Sequence, residues 1–472
     1  MMRFNAMWFF PLWLVSMACG VGLLIFADLP WLSTIFFPLG YLALLCALLT
    51  TIRFWHDWLN PLSLIILIGI IRFTIAGILL WFTEPDTPIF HIMGLQSEHW
   101  LYGHVLALIG LLSTTLGWFI VERTHDARFL QKPIQSKPEL SGGTLYAAIL
   151  GMFLGLLALF VFIKSNTSIS ITETASTGIF RSTQIQEGTG KFFYLSFMLI
   201  SSSVVFVDYL FSRKYAWWIA LLPATMAMMA LFVLGGRLRS LTAMAAGLLV
   251  FRAHRENAKT SLRTILFLVS IAVLLPIVFA AGAAYRGGQG MEGVQQTLSM
   301  SAILAYIQHA IWVDFGQLHS LAAAVAIGPR VLEGRTFLTL FWPMGKIFAL
   351  PGKSAGVFIT QMLVGLGDRK WGFHATLIGD AYLNFGLIGV ILVTAIFSMI
   401  LKIIYIGFRE RFISNAGYAL SVMYSLTMFF ETIEKYGEAL TILAFVFAII
   451  KIGQVFSEMT LAQDSLRPSN TR

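Results

Sequence analysis

Three stretches of this sequence combine residue types and spacings that could do chemistry. The first is Gly235-Gly236-Arg237-Leu238-Arg239-Ser240. Two arginines beside backbone N–H groups freed by a Gly-Gly turn would suit a phosphate or pyrophosphate, which a guanidinium grips through paired donors. The bland alternative is a turn at the membrane surface whose arginines snorkel to the headgroups. The second is Tyr285-Arg286-Gly287-Gly288-Gln289-Gly290, either a further anion contact on a flexible loop or an ordinary membrane exit. The third is the series Leu332-Glu333-Gly334-Arg335-Thr336, Phe341-Trp342-Pro343-Met344-Gly345-Lys346 and the block Gly372–Gly389. Within that block His374 precedes Asp380, Tyr382 and Asn384. On a helix Asp380 and Asn384 are i,i+4 neighbours on one face. An acidic group where a helix enters lipid should face a cavity. There it could act as a base or orient a hydroxyl; the alternative is local capping of the helix. His309, Asp314 and His319 are weaker signals. Arg72 is either a buried structural charge or part of a path for lipid phosphates.

These residues must be positioned by membrane helices. The chain has 472 residues, 58% hydrophobic and 12% charged. Its mean hydropathy is +0.80. A soluble globule has too little interior for that much apolar surface, so a soluble enzyme and a nucleic-acid-binding domain are excluded. Runs of about 20 apolar residues read as spans. Twelve such runs are expected: Met7–Phe26, Trp31–Ile52, Asn60–Phe82, Trp100–Val121, Leu145–Ile163, Phe192–Phe211, Tyr215–Leu234, Leu241–Phe251, Ile265–Ala284, Leu377–Ile404, Ala416–Phe430 and Ala439–Ile452. The eighth is short, so the turn before it is expected below the membrane surface, with Arg237 and Arg239 inside a cavity.

The net charge of +9 sets orientation rather than nucleic-acid binding. Basic residues such as Arg123, Arg128, Arg252, Arg255, Arg409 and Arg411 fall on alternate sides of the spans from the first two outer loops, around Asp28 and from Glu84 to His99, which hold no Lys or Arg. This puts both termini in the cytoplasm. A second basic set of thirteen residues faces outward or lies at the outer interface, among them Lys164, Arg181, Lys191, Arg237, Arg239 and Lys435. The other seven, Arg286, Arg330, Arg335, Lys346, Lys353, Arg369 and Lys370, fall in one long segment. The expected organisation is one integrated membrane domain. Residues 1–284 form spans 1 to 9, and residues 285–376 form an external loop with amphipathic or re-entrant helices. Residues 377–472 form spans 10 to 12 and a cytoplasmic tail. Cys19 and Cys46 lie in apolar runs and suggest no disulfide framework. No metal-site spacing and no Walker or Rossmann glycine pattern occurs, so no metal, ATP or dinucleotide cofactor is expected.

The arrangement resembles the Wzy-type oligosaccharide repeat-unit polymerases of bacterial surface polysaccharide assembly. The resemblance rests on Gly235-Gly236-Arg237 before a short apolar helix, on Trp342-Pro343 with Lys346, and on Thr376–Gly386 with Gly389. It covers roughly the C-terminal half, and the family often has Glu where this chain has Asp380. It implies an all-α, GT-C-like membrane fold with a large external loop, in the bacterial inner membrane with the site facing the periplasm. It also implies that a glycan on undecaprenyl pyrophosphate is transferred to a lipid-linked repeat unit, with lipid pyrophosphate leaving. The partners implied are that lipid-linked oligosaccharide, a chain-length regulator and a flippase, and no nucleic acid. Arg237, Arg239, Arg286, Arg335 and Lys346 would then hold the pyrophosphate, Tyr382 and Asn384 the substrate, and His374, Asp380 or His309 would serve as base. An O-antigen-ligase-like transferase is the nearest alternative. A flippase or transporter fits less well, because the polar residues concentrate on one side.

Overall fold

The computed structural model describes residues 6–25, 35, 38–44, 46, 60–75, 95–129, 140–166, 190–232, 237–254, 318–337, 355–364, 375–410, 412–431 and 435–466. Regular structure among these residues is entirely helical. Helix α1 (Ala6–Ile25) is followed by α2 (Pro61–Ile70), which runs directly into a π-helix (Ile71–Ile75). Then come α3 (Ser97–Phe129), α4 (Gly142–Asn166), α5 (Gly190–Ser196), α6 (Met198–Ser212), α7 (Trp217–Ala220) and α8 (Leu222–Phe232). The rest are α9 (Arg237–His254), α10 (Leu318–Ile327), α11 (Ala355–Val364), α12 (Thr376–Arg409), α13 (Asn415–Phe430) and α14 (Lys435–Leu466). Among the described residues, five stretches are long and apolar enough to cross a membrane: Glu98–Glu122, Gly142–Ser165, Lys191–Ser212, Thr376–Arg409 and Glu438–Met459. The expected run Ile265–Ala284 lies outside the described residues.

One expectation changes. The short helix expected from Leu241 instead starts at Arg237 and ends at His254, a length of 18 residues. That is about 27 Å at 1.5 Å per residue. Arg237 and Arg239 therefore occupy its first helical turn and not an open turn. Arg, Leu and Ser are all compatible with a helix end, so the apolar run understates the helix.

The chain forms two compact units. The first comprises Met1–Pro133, His309–Gly407 and Tyr424–Gly437; the second comprises Ile134–Gln308, Phe408–Met423 and Glu438–Arg472. In the first unit α1, α2 and α10 pack on α3. Gly103, Gly110 and Gly117 of α3 are spaced by seven residues, two helical turns, and so line one face. A Cβ at Gly103 would lie 3.1 Å from the Ala322 nitrogen of α10, and one at Gly110 would lie 2.6 Å from Ile378 of α12. A Cβ at Gly117 would collide with the Ala395 backbone of α12. The stripe thus sets α3 directly against the two helices that build the site below. Close backbone approach of this kind is what holds helices together where lipid removes the hydrophobic drive. Further along the pair, Lys402 of α12 lies 4.5 Å from the Trp118 ring centre and 3.5 Å from Glu122. Helix α2 begins where Asn60-Pro61 says it should: Asn60 Oδ1 accepts from the Leu62 N–H at 3.0 Å, and proline takes the first helical position.

In the second unit α4 packs on α5 and α6, and α6 packs on α8 and α9. Glycines again mark the close approaches, with Gly155 of α4 against the Leu199 backbone of α6. Phe211 of α6 meets Phe251 of α9 with ring centres 5.2 Å apart.

Candidate active site

The site grows from a break in α12. Its first residue, Thr376, caps the helix by accepting the Gly379 N–H at 3.0 Å through Oγ1. Ten residues on, Gly386 adopts φ 71°, ψ −158° and interrupts the helical path. That conformation is essentially restricted to glycine. A break of this kind frees carbonyls one turn earlier, because each helical C=O accepts from the residue four positions on. The carbonyls of Tyr382 and Leu383 are taken instead by the Arg330 N–H at 3.3 Å and the Leu332 N–H at 3.0 Å. A turn from outside the helix thus repairs the break.

That turn follows α10. Gly328, at φ 105°, ends the helix with its N–H on the Ala324 carbonyl at 3.1 Å, and Pro329 prevents continuation. The next residues are bent tightly: Arg330 has φ 63°, Glu333 φ 47° and Gly334 φ 83°. The Arg330 side chain lies along Gly386, with Nε 3.4 Å from the position a Cβ would take there. Arg330 is exposed. Leu332 points inward and joins Ala323, Ala324, Ile359, Ala375 and Leu383 in a small apolar core.

Thr336, at the end of the turn, meets Asp380 and Asn384. All three are buried. The Thr336 hydroxyl donates to Asp380 Oδ1 at 2.5 Å. Asn384 Nδ2 donates to Thr336 Oγ1 at 2.6 Å, to Asp380 Oδ1 at 2.9 Å and to the Asp380 carbonyl at 2.7 Å. The i,i+4 pair expected on one face is therefore formed, and Thr336 completes it from 44 residues away in sequence. Asn384 Oδ1 is buried and has no hydrogen-bond partner among the described residues. A buried acceptor left open is costly, so it is a natural place for a hydroxyl-bearing guest. Chemically, the network fixes the rotation of one carboxylate in a low-dielectric setting. Such a group can take a proton from a bound hydroxyl or hold that hydroxyl in place.

The other residues singled out in the sequence fall as follows. Tyr382 is half-buried on a different face of α12, packed against the apolar core with Trp100 and Phe358. Arg335 belongs to the same turn as Thr336 but points outward, 3.6 Å from Glu333, both side chains being largely exposed. An ion pair so exposed contributes little stability. Arg237 and Arg239 open α9 in the second unit. His374, His309, Arg286 and Lys346 lie outside the described residues. Thr336 and Arg330 were not singled out as site residues, because nothing in their spacing links them to Asp380.

A second buried polar cluster was also missed. In the second unit Asp208 of α6 accepts at Oδ1 from Asn415 Nδ2 at 2.9 Å and faces His254 Nε2 at 2.7 Å. Its Oδ2 accepts the Ala416 N–H at 3.1 Å. Three helices, α6, α9 and α13, are tied at one carboxylate.

No protein-family profile, curated protein or solved structure matches the chain.

Proposed function

We propose that this chain is a membrane glycosyltransferase that joins oligosaccharide repeat units carried on a polyprenyl diphosphate, a surface-polysaccharide polymerase. The observation that carries the reading is the Asp380–Thr336–Asn384 network at the break of a membrane-spanning helix, fastened to a turn that bears Arg330 and Arg335. Non-helical backbone within a membrane helix is tolerated where it lines a protein cavity. A carboxylate held there would face substrate rather than lipid.

In this reading an acceptor sugar hydroxyl attacks the anomeric carbon of the donor, the C–O bond to the lipid diphosphate breaks, and the diphosphate leaves with its electron pair. Asp380 takes or orients the hydroxyl proton, with Thr336 and Asn384 holding the carboxylate. Arg330 and Arg335 stand on the neighbouring turn as positive charge for the leaving group. Pyrophosphate binding by Arg237, Arg239, Arg286 and Lys346, with His374 or His309 as the alternative base, belongs to the same proposal. The twelve-span topology, a GT-C-like arrangement, a periplasm-facing site in the bacterial inner membrane, and work alongside a flippase and a chain-length regulator belong to the same proposal.

The test is complementation followed by reconstitution. Cells lacking this chain should carry single attached repeats, and the wild-type chain should restore long polymer. Loss of all attachment, with lipid-linked polymer retained, would point to a ligase instead. Purified protein in lipid should lengthen a lipid-linked repeat unit, and Asp380→Asn should not.

A further inference from the structure

The apolar run Asn60–Phe82 contains one arginine, and the structure gives it an unusual place. Arg72 lies in the π-helix Ile71–Ile75, immediately after α2. Single π-turns put an extra residue into a helix and are found mostly at functional sites. Arg72 is half-buried, and its Nε and Nη1 atoms are shielded from solvent. Its guanidinium carbon sits 5.0 Å from the ring centre of Phe430, and Phe73 meets the same ring at 6.2 Å.

Phe430 ends α13, and the next residue, Glu431, accepts the Thr376 N–H on its carbonyl at 2.9 Å. Thr376 has φ 56°, a left-handed conformation that a β-branched residue adopts only under constraint. So the π-turn arginine, the end of α13 and the strained start of α12 meet at one corner of the first unit. Asp380 is one helical turn from Thr376, about 6 Å along the axis.

We propose that Arg72 binds the phosphate-bearing headgroup of a membrane-embedded polyprenyl diphosphate at this corner. The inference rests on the function proposed above and adds a second point of attachment for its lipid-linked substrate. The chemistry follows from position. An arginine inside an apolar span is retained only where it meets a polar guest or partner. A planar guanidinium over an aromatic ring is held by its face, and it recognises phosphate oxygens through its edge. The bland alternative is a structural arginine whose stacking on Phe430 ties the π-turn to α13.

Full-length protein in lipid nanodiscs would be titrated with farnesyl diphosphate, inorganic pyrophosphate and phosphatidylglycerol. Wild-type protein, Arg72→Lys, Arg72→Gln and Phe430→Leu would be compared for affinity and thermal midpoint. Arg72→Gln is expected to weaken farnesyl diphosphate at least tenfold and Arg72→Lys severalfold, because lysine keeps the charge and loses the paired donors. Competition by inorganic pyrophosphate that is lost in Arg72→Gln would support recognition of the anion itself. Affinity for farnesyl diphosphate unchanged in Arg72→Lys and Arg72→Gln overturns the proposal, whatever happens to the midpoint. If Arg72→Gln does not fold, Arg72→Lys decides alone. Equal, Arg72-dependent binding of phosphatidylglycerol overturns it too, by making the corner a site for bulk lipid. If Phe430→Leu and Arg72→Gln lower the midpoint alike and leave affinity intact, the arginine is structural and the proposal falls. None of these readouts needs sugar transfer. Polymer that depends on Asp380 beside unchanged binding in Arg72→Gln would sink this inference alone. Arg72-dependent binding beside polymer indifferent to Asp380 would sink only the polymerase reading.

Discussion

Each compact unit buries an aspartate on an apolar helix, and each aspartate bonds to an asparagine. Their surroundings differ in kind. Asp208 is met by the ends of regular helices: His254 in the last turn of α9, Asn415 in the first turn of α13, and the backbone N–H of Ala416. Both of its oxygens are engaged, and its charge complements the positive end of α13. The backbone nearby is ordinary. Lys214, at φ 63°, closes α6 in the usual left-handed C-cap, with Tyr215 N–H on Leu210 and Lys214 N–H on Phe211. Asp380 is met by a side chain from an irregular turn, beside a broken helix. Around it Arg330, Glu333, Thr376 and Gly386 all have positive φ. Conformations of that kind cost energy and persist where surrounding structure enforces them, typically at sites that do work. Burial of a carboxylate alone does not separate the two. The strained frame around one and the relaxed frame around the other do.

The comparison breaks most easily at the carboxylates themselves. Asp380→Asn should reduce polymer formation on the order of 100-fold or more, the scale of losing a positioned acid–base group. Its thermal midpoint should stay near that of the wild type, because the amide still accepts from Thr336. Asp208→Ala should do the reverse. It leaves His254, Asn415 and the start of α13 without their shared partner, costing about 3 kcal/mol. Turnover per folded molecule should then stay within about twofold of wild type, since the change is one of stability and not of barrier. Thermal unfolding in detergent beside a polymer-length assay would read both. Loss of turnover in folded Asp208→Ala, or full turnover in Asp380→Asn, would reverse the assignment of roles.

Gly386→Ala tests the strained frame directly. Alanine at φ 71°, ψ −158° costs roughly 1–3 kcal/mol. The chain can relieve that cost by straightening α12, which would take the Tyr382 and Leu383 carbonyls back from Arg330 and Leu332. Turnover should drop while the protein remains folded, and protease cleavage within the 328–337 turn should rise. Unchanged turnover would show that the break is not needed to hold Asp380.

The legible part of this structure is what periodicity and local chemistry control. Apolar runs placed α1, α4, α12 and α13 to within about five residues, since an apolar stretch of span length leaves few alternatives. They also found α3 and α14, whose C-terminal ends run 8 and 14 residues past the expected Val121 and Ile452, because polar turns can prolong a helix unseen. The expected run from Asn60 began where α2 does, because Asn60 caps the helix and Pro61 takes its first position. The i,i+4 relation of Asp380 and Asn384 followed from helical geometry. The partners of these elements were not legible. Thr336 reaches Asp380 and Asn415 reaches Asp208 only because the chain folds back, and no spacing encodes a meeting across 44 or 207 residues. The break at Gly386 was hidden too, because glycine is common in membrane helices and shows its φ only in the fold. The start of α9 was misplaced because hydropathy stops at the first arginine while hydrogen bonding does not.

The finest test of the contrast uses single hydroxyl and imidazole groups. Thr336→Val removes the donor to Asp380 and the acceptor for Asn384 while conserving volume. The two partners are buried, so the loss should cost about 1–3 kcal/mol in stability and lower turnover with it. Thr336→Ser keeps the hydroxyl and should recover most of both. His254→Gln keeps a hydrogen-bond donor toward Asp208, and His254 is partly exposed at 19% of its side-chain surface. Its cost should be about 1 kcal/mol or less, with turnover unchanged. If Thr336→Ser fails to rescue turnover while restoring stability, turnover depends on the rotamer that the β-branched side chain fixes and not on the hydroxyl's bonds alone, because serine can make the same bonds but turns more freely about χ1.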